Sequence, residues 1–181
     1  KAEVATKLAL IYLMDHKAAE ALKAIRDTGQ TGLPDNLTTQ RRLLEARALA
    51  GTKQFEQALD MLADDDTPNV KEFRADVYWD AGQWPVAGSK IEDLLGERWM
   101  EDSPLNDAER SRVLRMAIAY ALATDQPSLD RVREHYGAKM KSSPDAASFA
   151  LVAGKIDTQG VAFRDLARTI ATVDSLKSFM N

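Results

Sequence analysis

Apolar residues along this chain recur three and four positions apart, while strict alternation of apolar and polar residues is scarce. A 3.6-residue period places such positions on one helical face, so the pattern predicts helix throughout, with about ten helices in all. Breaks are expected at 29–34, 64–68, 96–104, 125–127, 137–144 and 157–160, where Gly, Pro, Asp and Ser cluster. Some breaks carry start signals. Asn106 followed by Glu109 has the spacing of a capping box, and Ser143 before Pro144 fits an N-cap with proline in the first turn. Asn36, and Thr67 or Asn69, are caps of the same kind.

The chain also repeats itself. Residues 8–22, 45–59, 74–88 and 116–130 align so that each has a small marker residue in second place: Ala9, Ala46, Ala75 and Ala117. Three residues on stand Tyr12, Leu49, Tyr78 and Tyr120, and twelve residues on stand Ala21, Ala58, Ala87 and Leu129. A small residue at a helix crossing lets two backbones approach, and the bulky one fills the groove beside it. Trp84-Pro85 falls inside the third repeat. Gly82 is placed as the turn residue, Pro85 in the first turn of the following helix, and Trp84 as a largely buried packing residue.

This pattern resembles the tetratricopeptide repeat (TPR). The third repeat matches through Ala75, Tyr78, Gly82, Trp84 and Ala87, and the second through Ala46, Leu49, Phe55 and Ala58. The first has His16 and Ala18 at the turn-glycine and aromatic places, and the fourth lacks both. Marker spacings of 37, 29 and 42 residues depart from a regular period, so the repeats are degenerate. The resemblance implies an all-α fold: a right-handed array of antiparallel helical hairpins over residues 1–140, closed by C-terminal capping helices over 141–181. The cap would comprise a short apolar helix at 146–155 and an amphipathic one carrying Phe163, Leu166, Ile170, Val173, Leu176 and Met180. That last helix is alternatively a dimerisation surface.

In such arrays the first helix of each repeat lines an inner groove. The positions implied here are Leu10, Leu13, Met14, Leu43, Arg47, Glu72, Asp76, Trp79, Asp80, Leu114, Ile118 and Leu122. The candidate partner-binding residues are Arg47, Glu72, Asp76, Trp79, Asp80, Leu114 and Ile118. Three carboxylates at four-residue spacing share one helix face, which suits a peptide with basic and apolar side chains. The expected function is therefore a non-enzymatic scaffold or adaptor binding a protein segment. The alternatives are a spacer or oligomerisation block of a longer repeat protein, and a solenoid hydrolase using Glu72 and Asp76.

Charge and composition narrow the chemistry further. A net charge of −4 argues against a nucleic-acid partner. The basic residues between 110 and 141 are interleaved with Glu109, Asp130 and Glu134, which reads as a solvated face. The chain has no cysteine, so disulfides and thiol chemistry are excluded. His16 and His135 lie in no catalytic motif, and the run Asp64-Asp65-Asp66 lacks the spacing of a calcium loop. No cofactor and no metal are expected. The chain reads as a fragment of a longer protein, with a cytoplasmic setting expected ahead of an extracytoplasmic one.

Overall fold

A computed structural model describes residues 1–29 and 31–154. The break at 157–160, the amphipathic stripe from Phe163 to Met180 and the dimer surface expected of it lie outside the described residues. The fold is all-α. The described residues form nine α-helices and one 3-10 turn, without a strand. They are α1 (Ala2–Met14), α2 (Ala18–Arg26), α3 (Asp35–Gly51), α4 (Phe55–Met61), α5 (Pro68–Asp80), α6 (Trp84–Leu95), the 3-10 turn Arg98–Met100, α7 (Asp107–Leu122), α8 (Gln126–Lys141) and α9 (Ala146–Ala153). The chain divides into two compact units, Lys1–Val77 and Tyr78–Asn181, so the division falls inside α5.

The first helix of each of the four repeats ends in the same way. His16, Lys53, Gly82 and Thr124 stand seven residues after their markers, and all four have positive φ, between 56° and 69°. At each turn the N–H of this residue donates three residues back, to Leu13, Ala50, Trp79 or Ala121, at 2.8–3.1 Å. The next N–H, of Lys17, Gln54, Gln83 or Asp125, donates to the carbonyl of Tyr12, Leu49, Tyr78 or Tyr120 at 2.8–2.9 Å. This pair of bonds is a Schellman motif, with the left-handed residue just past the helix end. Glycine adopts that conformation freely, whereas an L-residue pays about 1–2 kcal/mol for it. Only one of the four turns uses glycine. Of the residues that follow, Asp125 alone adds a side-chain cap, accepting from the Ser128 N–H at 3.2 Å.

In the first unit α1 packs on α2 and α3, α2 on α3, and α3 on α4. α3 is covered on two sides. It gives Leu44 and Ala48 to a cluster with Ala9, Ala21 and Ile25. It gives Ala46 and Leu49 to a second cluster with Ala58, Leu62, Val70, Phe73 and Val77. Between α1, α2 and α3 lies a buried guanidinium, that of Arg41 on α3, only 1% exposed. One terminal nitrogen donates to the Ala2 carbonyl and Thr6 Oγ1, both at 3.0 Å. The other donates to the Ile25 carbonyl (2.7 Å), the Thr28 carbonyl (3.0 Å) and Thr28 Oγ1 (2.8 Å). One of these acceptors is the Ile25 carbonyl in the last turn of α2, where the helix dipole also favours a cation, and the Thr28 carbonyl lies just past that end.

In the second unit α6 packs on α7, α7 on α8 and α9, and α8 on α9. The α6–α7 crossing depends on a missing side chain: a Cβ at Gly88 would lie 2.7 Å from the Tyr120 ring. Tyr120 is also pinned at its other end, where its hydroxyl donates to Glu92 Oε2 at 2.6 Å. The Arg131 fork donates to both oxygens of that carboxylate at 2.9 Å, tying α8 to the same point. α7 begins with the expected capping box. Asn106 Oδ1 accepts from the Glu109 N–H at 2.9 Å, and Glu109 Oε2 accepts from the Asn106 N–H at 2.8 Å.

Several expected details differ. Gly137 does not break α8, because Val132, Tyr136 and Met140 form a buried stripe that carries the helix past it. Ser143 is not the N-cap of α9. Its hydroxyl caps the local turn, accepting from the Asp145 N–H, and the helix starts at Ala146. Asn36 lies inside α3, whose N-cap is Pro34. Trp84, expected to be largely buried, is half-buried, standing at the start of α6 between exposed Gln83 and Pro85. The buried tryptophan is Trp79.

Candidate interaction face

The candidate residues occupy matched places along the first helices of the repeats. Arg47, Asp76 and Ile118 each follow a marker alanine, while Glu72 and Leu114 stand three residues before one. Arg47, Glu72 and Asp76 belong to the first unit, and Trp79, Asp80, Leu114 and Ile118 to the second. The side chains of Arg47, Glu72 and Asp80 are exposed, and those of Asp76 and Leu114 are half-buried. Glu72, Asp76 and Asp80 thus form an acidic edge along α5 at one-turn spacing, with further polar contacts of their own.

Trp79 and Ile118 do not present their side chains to solvent. Ile118 is 0% exposed, on a helix packed against α6, α8 and α9. Trp79 is 4% exposed. The Trp84 ring meets it edge-on at a centroid distance of 5.4 Å, and the Arg115 guanidinium lies 4.7 Å from its centroid. Both contacts suit the quadrupole of the indole, so Trp79 is a packing residue that also orders Arg115. The groove positions implied by the resemblance did not include the neighbours that close over Trp79 and Ile118.

The residues expected to be a solvated basic face are largely engaged within the second unit. Besides Arg131 on Glu92, Arg110 pairs with Asp145 at 2.9 Å and with Asp107 at 2.8 Å. Arg133 pairs with Asp130, and Lys139 donates to the carbonyls of Glu101 and Ser103. The Arg131 contact holds the Glu92 carboxyl below the ordinary range, against the opposing effect of burial. The Tyr120 hydroxyl is raised well above its usual value, first by burial and then by its bond to that carboxylate. The acidic run is likewise structural. Asp65 accepts from the Thr67 N–H at 2.9 Å, and Asp66 pairs with Arg74 at 2.9 Å.

His135 stacks on Trp99 with ring centroids 4.0 Å apart and planes 11° from parallel, fastening the 3-10 turn to α8. His16 sits in the left-handed turn between α1 and α2. Among the described residues no group of three or more His, Cys, Asp or Glu side chains is arranged to hold a metal ion. No helix among them is long and apolar enough to cross a membrane. Sequence reasoning missed Arg41 and the Tyr120–Glu92–Arg131 cluster. The one available signal was Tyr120 at the bulky repeat position, which marked a crossing but not its polar partner. Comparison with protein-family models, with curated proteins and with solved structures found no match to this chain.

Proposed function

We propose that this chain is a non-enzymatic protein–protein interaction module built from hairpins of the tetratricopeptide type. The observation that carries the reading is the geometric identity of the four turns, which recurs at one register position despite four different residues there. A preformed surface of repeated hairpins would lower the ordering cost of binding a partner segment. The right-handed superhelix and the concave groove implied by the resemblance are part of this proposal.

Within it, the acidic edge of α5 is the recognition element. Glu72, Asp76 and Asp80 offer carboxylates at about 6 Å steps, which suits a segment bearing Lys or Arg beside apolar residues. Arg47 and Leu114 hold matched places along the first helices of their own repeats, while Trp79 and Ile118 are buried packing residues. The test is a peptide array probed with the wild-type chain and with Glu72→Lys and Asp76→Arg variants whose circular dichroism is unchanged. Basic-apolar peptides should bind the wild type, and each charge reversal should weaken them at least about tenfold. Binding that both reversals leave unchanged would remove the acidic edge from the reading.

A further inference from the structure

The α1–α3 and α3–α5 junctions of the first unit are built alike. The marker Ala9 of α1 shares a buried cluster with Leu44 and Ala48, which stand two before and two after the marker of α3. The marker Ala46 of α3 shares one with Phe73 and Val77, two before and two after the marker of α5. Equal junctions repeat one step, so residues at one register position fall in a row across the three helices. The place after each marker holds Leu10, Arg47 and Asp76, all within the first unit. Leu10 and Arg47 are exposed and Asp76 is half-buried. A preceding hairpin does not close this place, since α3 and α5 each follow one.

The chemistry of the row changes from helix to helix. Met14, one turn beyond Leu10, is 71% exposed and widens the apolar end. Glu72, one turn before Asp76, is exposed and widens the acidic end. Arg47 stands between them, and it differs from the other arginines of the unit. Arg26 pairs with Glu45, Arg41 is held in its buried net, Arg42 donates to the Met61 carbonyl and Arg74 pairs with Asp66. Arg47 makes no hydrogen bond or ion pair among the described residues. Its planar fork suits a carboxylate brought from outside.

We propose, resting on the reading of the chain as a partner-binding module, that this row takes an extended segment whose side chains run apolar, acidic, basic. The apolar residue lies on Leu10 and Met14, an Asp or Glu meets the Arg47 fork, and a Lys or Arg meets Asp76 and Glu72. Packed helices lie about 8–10 Å apart and an extended chain rises about 3.3 Å per residue, so successive contacts fall about three residues apart. The acidic edge alone selects positive charge, whereas Arg47 adds a central place where positive charge is rejected. A carboxylate accepts several hydrogen bonds, so the contacts that Glu72 and Asp76 keep within the chain leave room for a ligand cation.

The test is an array of peptides in which leucine, glutamate and lysine occur in every order, about three positions apart, probed at low salt with the full chain. The wild type should bind peptides with glutamate in the middle about fivefold more tightly than those with lysine there. Arg47→Glu should reverse that preference and Arg47→Ala should level it, with circular dichroism unchanged because the site is exposed. A preference that both Arg47 variants leave as it was, in peptides that Asp76→Arg weakens, would overturn the order while sparing the acidic edge. Binding that neither the Arg47 variants nor Asp76→Arg alters, or no binding at all, would remove the acidic edge and the order together.

Discussion

Replacing Arg41 tests whether three helices of the first unit are held by one guanidinium. Its two terminal nitrogens bring four N–H groups to five acceptors on α1, α2 and the residues just after α2. At about 1 kcal/mol net per satisfied N–H, these bonds contribute about 4 kcal/mol. The buried Nε has no partner among the described residues, and an unmet donor costs about 1–3 kcal/mol. The guanidinium should therefore contribute about 1–3 kcal/mol net. Arg41→Met keeps most of the stem and should lose about that amount. Arg41→Ala also removes about two to three buried methylenes at about 0.8 kcal/mol each, so its cost should reach about 3–5 kcal/mol. Arg41→Lys keeps the charge but not the fork, and it should fall near the methionine variant. Urea unfolding followed by circular dichroism reads these differences, with the transition checked for two steps because the chain has two compact units. If Met and Ala variants both unfold within about 0.5 kcal/mol of the wild type, the guanidinium does not hold the helices.

Further predictions follow from the turns, the crossings and the carboxylate. Thr124, a β-branched residue at φ 56°, should be stabilised by Thr124→Gly by about 0.5–1 kcal/mol, whereas Gly82→Ala should cost about 1 kcal/mol in thermal unfolding. Gly88→Ala forces the pinned Tyr120 ring to move and should destabilise by about 1–2 kcal/mol even after its gain in helix propensity. Gly137→Ala, whose Cβ would meet only Arg133 Cγ at 4.0 Å, should instead stabilise by about 0.5–1 kcal/mol. The folded Glu92 carboxyl titrates below its unfolded value, so its stabilisation is complete above the unfolded pKa and is lost as pH falls through the folded one. The stability gap between wild type and Glu92→Gln should accordingly shrink as unfolding is measured from about pH 6 down to about pH 3, and a gap that widens would contradict the Arg131 contact.

The sequence carried the hairpins well because they depend on local features. The Asn106–Glu109 box acts within one turn, and marker alanines pack first within their own hairpin, as Ala9 does with Ala21 and Ala46 with Ala58. The turns were harder to read, since His16, Lys53 and Thr124 give no glycine signal; two hydrogen bonds and the packing of the paired helices outweigh their left-handed strain. Gly137 misled in the opposite direction, since a buried stripe outweighs the roughly 1 kcal/mol that a helical glycine costs. Trp79 was placed on the groove side because a register position assigns a face but not the neighbour that covers it; it is buried, with Trp84 packed edge-on against it. Arg41 was invisible for the plainest reason: its acceptors lie 13 to 39 residues away.

The repeat account rests on the four closures being equal, and amide exchange reads them one by one. The N–H groups of Lys17, Gln54, Gln83 and Asp125 precede new helices, where such groups ordinarily exchange fast, yet each donates back across its turn. All four should exchange at least about tenfold more slowly than unstructured amides, with the three non-glycine turns as protected as the one at Gly82. Random-coil exchange at Lys17, Gln54 or Asp125 would contradict the account.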